Sequence, residues 1–413
     1  MKFRSLPPSG RDDAAVPAWL VLLLAGGCGL IVANIYYAQP LVGPISVALG
    51  LSPQAAGLIV TMTQIGYGAG LLLVVPLGDL IENRSLVLAA MAVAALGLAA
   101  AAVATGAVMF LVAALVIGFG SVAVQVLVPY VAHLSPEATR GRVVGNVMSG
   151  LMLGIMLARP AASFITDALS WRAVFVISAA MMAVLGLVLL AALPRRRPVA
   201  GIGYLSLLGS MGRLARHTKV LQRRSLYHAC LFGAFSLFWT TAPLRLSQAF
   251  HFSQSGIALF ALAGVAGAIS APIAGRVADR GWVRPATGAA ILSVAAAFPL
   301  SRLGQPGSSL ALASLVAAAI LLDFGATANL VLGQRAIYAL GAACRARLNG
   351  LYMATFFAGG ALGSALGGWA YARGGWTLAA WVGFAMPVAA LACYATEWRR
   401  PRAAVVPVTG ESA

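Results

Sequence analysis

The chain has 413 residues; 61% are hydrophobic and only 9% charged, with 28 Lys+Arg against 10 Asp+Glu for a net charge of +18. Soluble domains carry roughly 25% charged residues, and so few charges cannot solvate a globule of this length. A soluble fold is excluded, and so is a membrane β-barrel, because the apolar stretches reach helix-spanning length instead of alternating over about ten residues.

Breaking the chain at charge clusters and turn residues predicts spans at 17–42, 53–77, 85–104, 107–131, 142–167 and 172–193. A second set follows at 225–248, 254–277, 285–303, 308–334, 347–372 and 376–396. The first stretch, from Pro17 after Lys2, Arg4 and Arg11, reads as an uncleaved helix because eleven more spans follow it. The expected class is an all-α membrane protein of 12 transmembrane helices in two six-helix bundles. Its expected parts are a cytoplasmic tail (1–16), an N-terminal bundle (17–193), a basic linker (194–224), a C-terminal bundle (225–396) and a second cytoplasmic tail (397–413). Within the linker, Leu205 to Leu214 has the pattern of an amphipathic helix lying on the membrane surface.

The charge distribution predicts orientation. With the N-terminus inside, 23 of the 28 basic residues fall on the cytoplasmic side. Arg172, Arg245, Arg302 and Arg373 fall outside, and Arg159 lies within a span. By the positive-inside rule both termini are cytoplasmic. The +18 charge is then a topology signal plus attraction to anionic lipid, with no need of nucleic acid.

An internal repeat supports two matched halves. Arg142, Gly145, Met148, Gly154 and Trp171 recur as Arg347, Gly350, Met353, Gly359 and Trp376 at an offset of 205. The loop Pro76 to Arg84 (PLGDLIENR) recurs as Ala274 to Arg284 (AGRVADRGWVR). Each half has six spans, so both enter the membrane from the same side, as a parallel repeat about an axis along the membrane normal.

These loops resemble the G-x-L-A-D-R-x-G-R-[RK] signature of the major facilitator superfamily. Asn34-Ile35-Tyr36-Tyr37-Ala38-Gln39-Pro40 and Gln64-Ile65-Gly66-Tyr67-Gly68 are similar to bacterial drug- and sugar-efflux-like permeases of the proton-antiporter branch (arabinose-efflux-permease-like). Val116 to Gly120 lacks the arginine that many such antiporters carry in span 4, and Arg159-Pro160 replaces the Gly-Pro of their span 5 motif. The resemblance implies alternating access in a bacterial inner membrane, with small-molecule substrate and protons as partners, no cofactor, and function as a monomer. The implied activity is proton-coupled efflux of a small neutral or amphipathic solute; a proton symporter or uniporter for uptake, or a transport-inactive sensor, is the alternative.

A charge at mid-bilayer costs about 2.5–3.5 kcal/mol on insertion scales and therefore marks a functional position. Two qualify. Asp323, in the tenth span, is the candidate proton site, since burial disfavours and a nearby cation favours an ionised carboxylate. Arg159, in the fifth, is its counter-charge or holds an anionic part of the substrate. The resemblance implies that the gating loops, with Asp79 and Arg84 in one and Asp279 and Arg280 in the other, dock each aspartate on a helix end of the opposite half when the cytoplasmic side is closed. Candidate cavity residues are Asn34, Tyr37, Gln39, Thr61, Gln64, Gln125, Phe235, Trp239, Thr240 and Asn329. Gly359, Gly363 and Gly367, with Gly360, Ser364 and Gly368, are expected to pack the halves together.

Other classes fare worse. The histidines (133, 217, 228 and 251) are scattered, and Cys28, Cys230, Cys344 and Cys393 have no metal-ligand spacing, so no metal is expected. The only lysines, Lys2 and Lys219, lie outside any P-loop motif, which argues against an ATP-driven pump.

Overall fold

The computed structural model describes residues 17–198, 203–341 and 344–398. The expected tail 1–16, linker residues 199–202 and the expected C-terminal tail beyond Trp398 lie outside them. Among the described residues every regular element is a helix.

The first half begins with α1 (Ala18–Ala33), a turn and α2 (Val42–Ala48), followed by α3 (Leu58–Leu73) and α4 (Asn83–Ala102). The fourth span is α5 (Ala107–Ser121) continued by α6 (Ala123–Leu134); α7 (Glu137–Ala168) and α8 (Trp171–Ala192) complete the half. The connection folds into α9 (Tyr204–His217). The second half comprises α10 (Lys219–Phe250), α11 (Gln254–Ala261) with α12 (Ala266–Asp279), α13 (Val283–Leu300) and α14 (Ser309–Tyr338). Last comes α15 (Arg345–Trp398), which holds two spans because Gly374 and Gly375 leave helical geometry; Gly375 has φ 57°, a left-handed value that favours glycine. Twelve spans in two six-helix bundles result.

Polar residues mark the helix starts. Glu82 accepts from the amides of Arg84 (3.0 Å) and Ser85 (3.2 Å) to cap α4, and Ser170, Ser253 and Ser308 cap α8, α11 and α14. Small residues then let the helices touch. Gly29 of α1 meets Gly150 and Gly154 of α7, where a Cβ on Gly154 would fall 2.2 Å from the Gly29 carbonyl oxygen. The second half repeats this contact between Gly233 of α10 and Gly359 and Gly363 of α15.

Three expectations are corrected. The first span is not one helix over 17–42: helical bonding stops after Ala33, where Asn34 to Leu41 form turns, and α2 resumes at Val42. Gly359, Gly363 and Gly367 do not join the halves; they face α10 within their own half, while Gly360, Ser364 and Gly368 face α3 of the other. The amphipathic linker helix is docked on the protein, burying Leu207, Met211 and Leu214. Its Tyr204 hydroxyl donates to the Leu73 carbonyl (2.8 Å), and Arg347 Nη1 donates to Ser210 Oγ (2.9 Å), so α9 touches both halves.

Candidate functional site

The turn after α1 sits deep in the protein with every residue from Asn34 to Val42 buried. Unwound backbone is tolerated at such depth only inside protein or beside a cavity. Pro40 has no amide to continue a helix, and three-residue turns take over, with the Tyr36 amide on Ala33 (2.9 Å) and that of Gln39 on Tyr36 (3.2 Å). Gln39 thereby faces α7, where its Oε1 accepts from Arg159 Nε at 2.7 Å.

The Arg159 guanidinium lies over three rings, at 4.4 Å from the Trp239 centroid, 5.1 Å from Phe235 and 5.3 Å from Tyr36. Aromatic faces attract a desolvated cation by about 2 kcal/mol. On its other edge, Trp239 Nε1 donates to Asp323 Oδ2 at 3.0 Å. The carboxylate and the guanidinium are thus linked through one indole. No ion-pair contact within 4.0 Å joins them among the described residues. Gly264 sits between them: a Cβ there would be 3.5 Å from Arg159 Nη1 and 3.6 Å from Asp323 Oδ1.

This cluster lines a cavity of about 470 Å³ enclosed by α7, α10, α12, α14 and α15, with Tyr36 from the turn after α1. At one end the halves close. Thr61 Oγ1 of α3 bonds Ser364 Oγ of α15 at 2.7 Å, and α7 packs on α11. Toward the other end α7 and α12 have little contact, whereas α3 and α15 stay close, a Cβ on Gly350 lying 3.9 Å from the Leu71 carbonyl oxygen.

The sequence-derived candidates divide by place. Arg159, Asp323 and Phe235 line the cavity, with Gln39 and Trp239 behind them. Asn34, Tyr37 and Thr240 are buried, and Asn34 and Thr240 have side-chain atoms without hydrogen-bond partners among the described residues. Thr61 and Gln64 hold the halves together, Gln64 by donating to Ser236 Oγ at 2.9 Å. Gln125 donates to the Tyr67 hydroxyl at 3.0 Å, within the first half. Asn329 contacts His228 Nδ1 at 3.3 Å. Sequence reasoning missed Tyr36, Gly264, His228, Phe232 and Phe356, and the methionines Met148, Met152 and Met156 of α7. The four-residue spacing of those methionines was a signal for one helix face.

In the loops, Asp79 ends a 3₁₀ segment (Val75–Asp79) beside a small cleft that Arg196 and Arg347 also line. Arg84 donates to the Leu193 carbonyl at 2.9 Å. Asp279 ion-pairs with Arg335 of α14 in its own half, both side chains exposed. Arg280 is exposed at the end of α12.

With this geometry in hand, the known proteins are informative. The family model described as Major Facilitator Superfamily matches residues 22–314 and again 224–412. The uncharacterized transporter YgaY of Escherichia coli O157:H7 is 36% identical over 358 residues, 86% of this chain and 90% of that protein. The probable transporter SCO4007 of Streptomyces coelicolor is 36% identical over 373 residues, 89% and 85% of the two chains. Among solved structures, the nucleoside transporter NupG shares the fold at TM-score 0.71 and 17% identity, covering 92% of this chain and all 100% of its own. A bacterial homolog of the human lysosomal transporter Spinster, inward-facing and occupied, aligns at TM-score 0.73 and 15% identity over 92% and 97%. The chain belongs to the Major Facilitator Superfamily and is a multi-pass membrane transporter.

Proposed function

We propose that the chain is a proton-coupled transporter of a small neutral or amphipathic solute, working by alternating access around Arg159, Trp239 and Asp323. One observation carries this reading: a buried carboxylate and a buried guanidinium meet the same tryptophan at the closed end of the cavity between the halves. Trp239 holds Asp323 Oδ2 and leaves Oδ1 on the side of Gly264, toward Arg159. A proton arriving at Oδ1 neutralises the acid and leaves the Arg159 charge to the solute. When the proton leaves, Arg159 compensates the carboxylate and the solute is released. Binding energy that differs between the two access states is what turns this exchange into transport.

The proposed setting is a bacterial inner membrane, with both termini cytoplasmic, anionic lipid around the basic loops and the monomer as the working unit. In that orientation the end where α7 and α12 have little contact faces the cytoplasm, which opens the cavity inward on that side. Asp79, Arg84, Asp279 and Arg280 are the proposed gating residues, exchanging partners when the cytoplasmic end closes; the exposed Asp279–Arg335 pair is then the partner of the open state. The bundles 17–193 and 225–396 are the proposed moving bodies.

The test is a solute panel in proteoliposomes with an imposed pH gradient of either sign. Proton and solute bound together predict accumulation when the exterior is acid. Accumulation only with an acid lumen means antiport and export, and indifference to both signs removes proton coupling.

A further inference from the structure

His228 has no part in that proton step, yet it stands in the cavity wall nearly fully buried. Its ring is clamped between Tyr352 (4.7 Å, 4° between planes) and Phe356 (4.2 Å, 25°), so its direction is fixed. The Asn329 side-chain amide lies 3.3 Å from Nδ1 and donates to it. Nδ1 is then the acceptor, and the neutral ring carries its hydrogen on Nε2. Nε2 finds no hydrogen-bond partner among the described residues.

A second unused donor lies at the other end of the cavity. Arg159 spends Nε on Gln39, but its Nη2 is buried without a partner among the described residues. Asp323 does not balance this as a site for a ligand cation, because Trp239 already occupies Oδ2 and the proton step needs Oδ1. The guanidinium stays charged. Between the two donors the wall is continuous aromatic surface, with Phe356 on Phe232 at 3.5 Å and Phe232 on Phe235 at 5.2 Å. Met148, Met152 and Met156 line the cavity from α7, and unbranched thioethers mould to varied apolar shapes. Phe235, beside Arg159, lies two helical turns beyond His228 on α10, roughly 10 Å.

We propose that the solute is an elongated amphipathic monoanion: its anionic group binds Arg159, its flat apolar body lies along the rings, and a hydrogen-bond acceptor at its far end is read by His228 Nε2. His228 is thus a specificity-determining residue. The proposal rests on the transport reading above but not on proton coupling, and its test uses binding without a gradient, so the two fail separately.

The probes are radiolabelled ω-(4-acetylphenyl)alkanoic acids spanning roughly 10 Å, their primary amides and amines, and the same series with ethyl in place of acetyl. Binding to the full chain in nanodiscs is measured by equilibrium dialysis at one pH. In the wild type the acid binds at least about tenfold more tightly than its amide or amine, and the acetyl acid about tenfold more tightly than the ethyl acid. Arg159→Gln collapses the acid-to-amide ratio. His228→Phe, which keeps the ring stack, collapses the acetyl-to-ethyl ratio while the acid-to-amide ratio persists. Equal binding of acid and amide, preference for the amine, failure of every acid to bind, or an acetyl preference that survives His228→Phe overturns the proposal. The wild-type comparison decides even where a variant does not fold.

Discussion

Gly264→Ala separates the two central charges without dismantling the fold. The new Cβ would stand 3.3 Å from Trp239 Cζ2, 3.5 Å from Arg159 Nη1 and 3.6 Å from Asp323 Oδ1. Gly264 is not among the residues of positive φ, so alanine needs no backbone change. The tightest contact asks the indole to give by a few tenths of an ångström, and the stability change stays within about 1 kcal/mol. The functional effect is larger. If the deprotonated acid and the guanidinium approach to about 4 Å during the cycle, their attraction at an effective dielectric of about 20 is about 4 kcal/mol. A methyl group that holds them at about 6 Å removes about 1.4 kcal/mol of it, a factor of ten. Gradient-driven flux in proteoliposomes should therefore fall about tenfold, while melting and gel-filtration profiles match those of Gly145→Ala, whose Cβ would meet nothing within 4 Å. A folded Gly264→Ala protein that transports at the wild-type rate refutes the idea that the charges meet through this gap.

Three further outcomes follow from the packing. Gly154→Ala forces α7 off α1, since its Cβ would lie 2.2 Å from the Gly29 oxygen; it should cost about 1–3 kcal/mol, read as a lower melting temperature than Gly145→Ala, and equal melting would contradict the contact. Thr61→Val removes the hydroxyl that bonds Ser364 and the Ala361 carbonyl across the closed end, a loss on the order of 0.6 kcal/mol for a membrane hydrogen bond. A thiol placed at the adjacent buried Ala56, which already carries a Cβ, should then label faster from that side, and unchanged labelling would mean the bond does not hold the end shut. Asp279→Asn breaks a pair whose members are 63% and 61% exposed, so its melting temperature should stay within experimental error; a large drop would mean that the pair is buried in the working protein.

Much of the architecture is legible in one dimension because the bilayer imposes a length on every helix and a high cost on every buried charge. Arg159 and Asp323 stood out for that reason, as charges inside apolar runs. What could not be read depends on partners far apart in the chain. Asn34 to Gln39 can all sit in a helix, and only Pro40 hints that bonding fails there. His228 looks like one of four scattered histidines until α15 places Tyr352 and Phe356 on its faces. Gln64 reads as a cavity residue because it is polar and mid-span, yet its partner Ser236 lies in the other half. The glycine stripe of α15 predicts close approach but not which of two neighbours each face meets, and the linker helix is amphipathic whether lipid or protein covers it.

The most direct test of the account is Asp323→Asn. Asparagine can still accept from Trp239 Nε1 and fills the same space, but it cannot bind and release a proton. With a transported solute identified, the variant should keep solute counterflow between equal pools and lose all accumulation driven by a pH gradient. Accumulation driven by the gradient at the wild-type level in Asp323→Asn would contradict the central claim that this carboxylate carries the coupling proton.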